Sequence, residues 1–227
     1  YLIDPENRDY VTCIEAISAN GKTIPPMVII FGALLLENFF GSNLDDGVLF
    51  ATTESGYTND MLSFERVKHF DKHTKPSNPE EWRMLVIDGH SSHVTLEFVD
   101  YCHNNEILPF LLPSHSTHLL QPLDLGVFQQ YKHYHQECWY DYIRWSGFEF
   151  DKVDFLKVLQ RMRNLAFKRS TIGYRWKESG LHPFNPERVK SKILEFATPE
   201  RAQTNPPSHG IDWTTVVTPT RNLPDIR

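Results

Sequence analysis

Three cysteines in 227 residues, Cys13, Cys102 and Cys138, are too few and too odd in number for a disulfide scaffold. None stands in a C-x-x-C pair, which disfavours a zinc ribbon, and the scarcity fits a reducing compartment. Long hydrophobic runs are missing too. The longest, Ile24 to Leu36, is broken by Pro25, Pro26 and Gly32 and falls short of the ~20 apolar residues of a membrane span. A membrane protein is therefore not expected. There is no signal-peptide pattern and no internal repeat. Tyr1 stands where an initiator Met would, so the start reads as a cut edge, as expected of a fragment or an incomplete gene model.

What is present describes an ordinary globular chain. Hydrophobic residues make up 40% and aromatic residues 13%, which argues against disorder for most of its length. A chain of this size buries roughly 70% of its unfolded surface and needs no staples. Charge is uneven. The net charge is −6, yet Asp151 to Lys192 carries 11 Lys/Arg against 4 Asp/Glu. The basic segment suits either a polyanion or docking on the acidic body. The acidic remainder suits a site whose carboxylates hold cations.

Hydrophobic patterning gives alternating element types. Tyr10 to Ser18 reads as a strand, Asn20-Gly21 as a hairpin turn, and Ile24 to Phe31 as the return strand. Asn59 to Lys72 has apolar residues at helical spacing, capped by Thr58 or Asn59. Met84 to Ile87 and Ile107 to Leu112 are short continuous apolar runs, typical of strands buried on both faces, with a helix at Val94 to Asn104 between them. Asp124 to Trp145 reads as one long helix, Lys152 to Arg169 as an amphipathic helix, and Ser170 to Ser179 as a short one. The order predicts an α/β domain with a mixed sheet covered by helices. The expected divisions are a main domain at 1–145, a C-terminal helical extension at 146–197, and an extended or disordered tail at 198–227.

Two carboxylates stand out. Asp88 ends a strand, where sites gather in open α/β sheets. Asp124 follows Pro122 in the first turn of a helix. Singly, each has an ordinary reading, the first as a turn former and the second as a partner of the helix dipole. Together they are separated by 35 residues, room for a helix, a strand and a loop that can return the second carboxylate to the tip of the first strand. Such a pair can hold a hard divalent cation, which activates a water or hydroxyl in phosphoryl transfer.

The segment LVIDGHSSH at Leu85 to His93, followed by ILPFLLPSHSTHLLQPLDLGVF at Ile107 to Phe128, resembles the DDE transposase domain of the mariner/pogo superfamily, with fungal pogo-like elements as its nearest flavour. DYVTCIEAISANGKTIPPMVIIFG, ESGYTND, FDKHTK and GLHPFNPERV resemble further blocks of that family. The resemblance implies an RNase H-like fold in which Asp88 and Asp124 are catalytic metal ligands for Mg²⁺ or Mn²⁺. It also implies DNA as partner, a multimer on DNA and a nuclear location. The family's first catalytic Asp lies on a strand upstream of VTCIE. That strand has no counterpart here, and the context of Asp4 (LIDPENRD) does not resemble its motif.

The histidines offer a rival reading. His69/His73 at i,i+4, and His90/His93 and His115/His118 at i,i+3, could present ligand pairs to zinc, although no H-E-x-x-H motif accompanies them. By default His90, His93, His115 and His118 support the Asp88 and Asp124 site from its surroundings. Arg161, Arg163, Lys168, Arg169, Arg175 and Lys177 are candidate contacts to DNA phosphates. Three functions follow: a metal-dependent nuclease and strand transferase, a transposon-derived DNA-binding protein without the chemistry, and a histidine-based zinc hydrolase. Both retained aspartates favour the first for the parent protein, and the absent first Asp favours the second for this chain.

Overall fold

The computed structural model describes residues 10–35, 37–39, 44–88, 94–146, 151–197 and 216–219. Strand β1 (Tyr10–Ile14) and β2 (Met27–Phe31) are antiparallel, with Cys13 opposite Val28. The hairpin turn is where Asn20-Gly21 predicts it. Gly21 has φ +82°, a conformation open to glycine, and its N–H donates to the Ser18 carbonyl at 2.9 Å. Strand β3 (Leu49–Thr53) lies parallel to β2.

Helix α1 (Asp60–Thr74) begins where its cap residue dictates. The Asn59 side chain accepts a hydrogen bond from Leu62 N at 2.9 Å. Asn59→Ala should therefore cost about 1 kcal/mol, read as a lower urea midpoint at unchanged slope. An unchanged midpoint would show the cap to be dispensable. Strands β4 (Arg83–Ile87) and β5 (Ile107–Leu111) pair in parallel around α2 (Leu96–Asn104), which is capped by Thr95. A short α3 (Thr117–Leu120) leads into a π-helical turn at Leu123–Val127. The chain continues through α4 (Phe128–Ser146), α5 (Lys152–Ala166), α6 (Arg169–Glu178) and α7 (Glu187–Ala197). Val216–Pro219 forms β6, antiparallel to β1. The rest of the expected tail lies outside the described residues.

The architecture is mixed α/β with helices flanking the strands, as the element order predicts. The strands form two hydrogen-bonded sheets, β3-β2-β1-β6 and β4-β5. Helices α4 and α5 cover one face of the larger sheet: Tyr131, Phe155, Leu156, Leu159 and Met162 pack on Val11, Cys13, Val28 and Ile30. Helix α1 bridges the two sheets. Its Leu62 packs with Ile14, Met27 and Ile29, and its Val67 with Ile87, Phe98 and Ile107.

Burial of β4 and β5 on both faces is not what the structure has. Met84 is 60% exposed, and Leu108 and Phe110 are also exposed. Alternate residues of β4 and β5 face α1 and α2, and these face solvent. Asp124 to Trp145 is likewise not one helix. Gly126, at φ +144° and ψ −1°, interrupts helical geometry between the π-turn and α4.

Candidate functional site

Asp88 directly follows β4 and is 6% exposed. A polar network anchors the opposite end of that strand. Arg83 Nη2 donates to Asp71 Oδ1 at 2.8 Å and Nη1 to Thr74 Oγ1 at 3.1 Å, both on α1. The Tyr101 hydroxyl of α2 donates to Asp71 Oδ2 at 3.2 Å. Asp71 is itself buried, so these are charge-assisted bonds in a low-dielectric setting, stronger than surface pairs. They fix β4 between α1 and α2 and so fix where the strand releases Asp88.

The next link is the end of β5. Leu112 N donates to the Ile87 carbonyl at 2.8 Å, which ties the start of the 112–121 connection to the strand end carrying Asp88. That connection passes a tight turn in which Ser116 Oγ donates to the Pro113 carbonyl at 2.6 Å. Then α3 delivers the π-turn, where Asp124 N and Leu125 N both donate to the Gln121 carbonyl at 3.1 Å. Asp124 thus occupies the first position after Leu123 in a turn with an abrupt exit at Gly126. Lys132 on α4 lies within the field of Asp124. Burial pushes the Lys132 amine below its ordinary value, and the carboxylate opposes that fall.

The other sequence-derived candidates are dispersed. His115, with φ +61°, and His118 are exposed on the connection that precedes the π-turn. His90 and His93 lie outside the described residues. Among the described residues no three His, Cys, Asp or Glu side chains gather as a metal cluster. His69 Nε2 donates to the Pro25 carbonyl at 2.8 Å, which occupies one nitrogen of the pair that a zinc reading would use. All three cysteines are buried, and burial pushes their thiols up, Cys102 to about 11, away from the thiolate form.

Arg163 requires a correction. Its guanidinium is 5% exposed and forms a two-pronged bond to Glu15, Nε to Oε1 at 2.9 Å and Nη2 to Oε2 at 3.1 Å. It also donates to the Ile24 carbonyl at 2.7 Å. A buried guanidinium held by Glu15, just after β1, and by the Ile24 carbonyl has no face to offer a phosphate. Arg161, Lys168, Arg169 and Lys177 are exposed, with the Arg169 stem packed on the Gly21 turn. Arg175 is 22% exposed and packs against Gly126, a contact the sequence reading missed. The signal available was an isolated glycine two residues after a candidate catalytic Asp inside a helical pattern.

The family model described as DDE superfamily endonuclease matches residues 7–176. The chain belongs to the DDE superfamily endonucleases. Both Asp88 and Asp124 fall within the matched residues. Members of this superfamily generally use divalent metal ions. A protein named "MFS-type transporter clz9" from Cochliobolus lunatus is 32% identical over 191 residues, 84% of this chain and 21% of that protein. The human "Pogo transposable element with ZNF domain" is 27% identical over 132 residues, 58% of this chain and 9% of that protein. The matched part of the chain thus spans about a fifth of the first relative and less than a tenth of the second. No solved structure gives a significant match. Among the described residues no helix is long and apolar enough to cross a membrane. The helix-flanked mixed sheet of this DDE chain is compatible with an RNase H-like domain.

The two aspartates fit the family's cation in kind. Both offer carboxylate oxygens, the donors that hard divalent ions take.

Proposed function

We propose that the chain is the catalytic-domain portion of a pogo-like DDE transposase, that it binds DNA, and that Asp88 and Asp124 hold Mg²⁺ or Mn²⁺. One observation carries the reading. Within the family-matched residues, the strand end that releases Asp88 is hydrogen-bonded to the strand end that leads to Asp124. A bound divalent cation would supply an activated water or hydroxyl and charge neutralisation at a phosphodiester. The chain's own part is to hold two carboxylates at the end of β4 and in the π-turn. The proposal extends to a third carboxylate from sequence upstream of β1, a nuclear location and assembly as a multimer on DNA. The exposed Arg161, Lys168, Arg169 and Lys177 would contact phosphates, adding affinity without sequence information.

The alternative is a transposon-derived DNA-binding protein without catalysis. It is favoured by the finding that no three candidate ligands gather among the described residues. Calorimetric titration of Mn²⁺ or Mg²⁺ separates the two. Wild-type binding should disappear in Asp88→Ala/Asp124→Ala, with the circular dichroism spectrum retained. A folded wild type that takes up no cation would sink the metal-site reading and leave DNA binding alone.

A further inference from the structure

We infer that Arg175 is a positioning residue for Asp124, acting through the backbone of the π-turn. The inference rests on the metal-site reading of Asp124 given above.

The π-turn Leu123–Val127 has one residue outside helical geometry, Gly126. Its φ of +144° favours glycine, and the absence of a side chain leaves room that Arg175 fills. A Cβ built at Gly126 would fall 2.5 Å from Arg175 Cζ and 2.7 Å from Arg175 Nε, closer than real Cβ atoms approach. The planar guanidinium of α6 thus lies against the bare backbone of the turn and occupies the volume a side chain would take.

Two further contacts hold the guanidinium there. Arg175 Nη1 donates to Glu178 Oε2 at 2.6 Å, and both side chains are largely buried. Glu178 Oε1 in turn pairs with Lys192 of α7 at 3.5 Å. Arg175 Nε is buried with no hydrogen-bond partner among the described residues. The guanidinium is held by its bond to Glu178 and by its contact with the Gly126 backbone. Asp124 lies two residues before Gly126 in the same five-residue turn, so the direction of its carboxylate depends on how that turn is held. Arg175 is therefore not a phosphate contact, and α6 and α7 brace the turn from outside.

Arg175→Met removes the fork and keeps the stem; Glu178→Gln keeps the shape and removes the charge that anchors the fork. Hydrogen exchange in the metal-free protein should rise in both variants at Leu123–Val127, with β1 and β2 unchanged. Mn²⁺ affinity measured by calorimetry should fall about 10–100-fold in Arg175→Met, less in Glu178→Gln, the range seen when the support of a ligand is lost. Arg175→Lys should not restore it, since an ammonium lacks the planar fork. Exchange at 123–127 that stays at the wild-type rate in both variants would overturn the inference. So would unchanged Mn²⁺ affinity in a folded Arg175→Met protein. If wild type itself binds no Mn²⁺, the metal reading fails, and faster exchange in the turn still upholds the brace. If Arg175→Met does not fold, Glu178→Gln decides by the same two readouts.

Discussion

Replacing Glu15 with alanine should destabilise the fold by about 3–5 kcal/mol, because it strands the Arg163 guanidinium in the core without its partner. Both groups are buried, and the pair joins the end of β1 to α5 across 148 residues of sequence. Burial disfavours the Arg163 charge, yet Glu15 beside it holds the guanidinium above its ordinary value. Burial also pushes the Glu15 carboxyl up, and the guanidinium pulls it back part of the way. The pair is therefore costly to break and not evidence of a net gain. Glu15→Leu/Arg163→Met should recover most of the loss, since apolar groups of similar volume often replace a buried ion pair at little cost. Urea unfolding of Glu15→Leu, Arg163→Met and the double variant gives the coupling directly. Single losses below about 1 kcal/mol would show a hydrated pair of the surface kind.

That ion pair also marks where the sequence stops being legible. Features set by neighbours along the chain can be read: the Asn20-Gly21 hairpin, the Asn59 cap and the strand that ends at Asp88 all arise within a few residues. The capping box of α5, Asp151 with Asp154, is equally local. Features set by distant partners cannot. Nothing in the spacing of Arg163 on a basic amphipathic helix separates a guanidinium facing Glu15 from one facing DNA. Strand β3 hides in LFATT, a short run with no apolar/polar alternation, and its parallel pairing with β2 is a tertiary choice. The exposed face of β4 and β5 follows from which helices reach that sheet, not from the apolar run itself.

The candidate site divides the same way. The two aspartates are legible because each ends or begins an element, and their motifs resemble a family. The support beneath them is not. Arg83 secures β4 to α1, the helix just before it, through Asp71, whereas Arg175 reaches the π-turn from α6, about fifty residues on. Composition gives Arg175 one meaning, as positive charge, and its packing gives it another.

Acidification should weaken the fold along a limb set by His135, and this is the second large effect. His135 on α4 sits edge-on to the Phe155 ring of α5, with ring centroids 5.8 Å apart. Burial pushes its imidazole down from 6.5 to about 4. The unfolded chain takes up that proton near pH 6.5, whereas the folded chain resists until about pH 4. In this window the unfolded state binds more protons, so stability falls as pH drops and the loss is complete below the folded value. The shift corresponds to about 3 kcal/mol at most. His69 has the same sign: burial lowers it, against the Pro25 carbonyl bond and with the neighbouring His73 and Lys72 charges. Glu15 has the opposite sign, since a raised carboxyl favours the fold as it protonates. Asp154 acts lower still. Burial opposes its charge, but bonds from Lys157 and the Asp151 backbone hold it below its ordinary value. Only His135 is removed in His135→Gln, so the slope of unfolding free energy between pH 7 and pH 4 should flatten in that variant, whatever its absolute stability. An identical slope in wild type and His135→Gln would mean that His135 titrates freely in the folded chain and that the α4–α5 seam admits water.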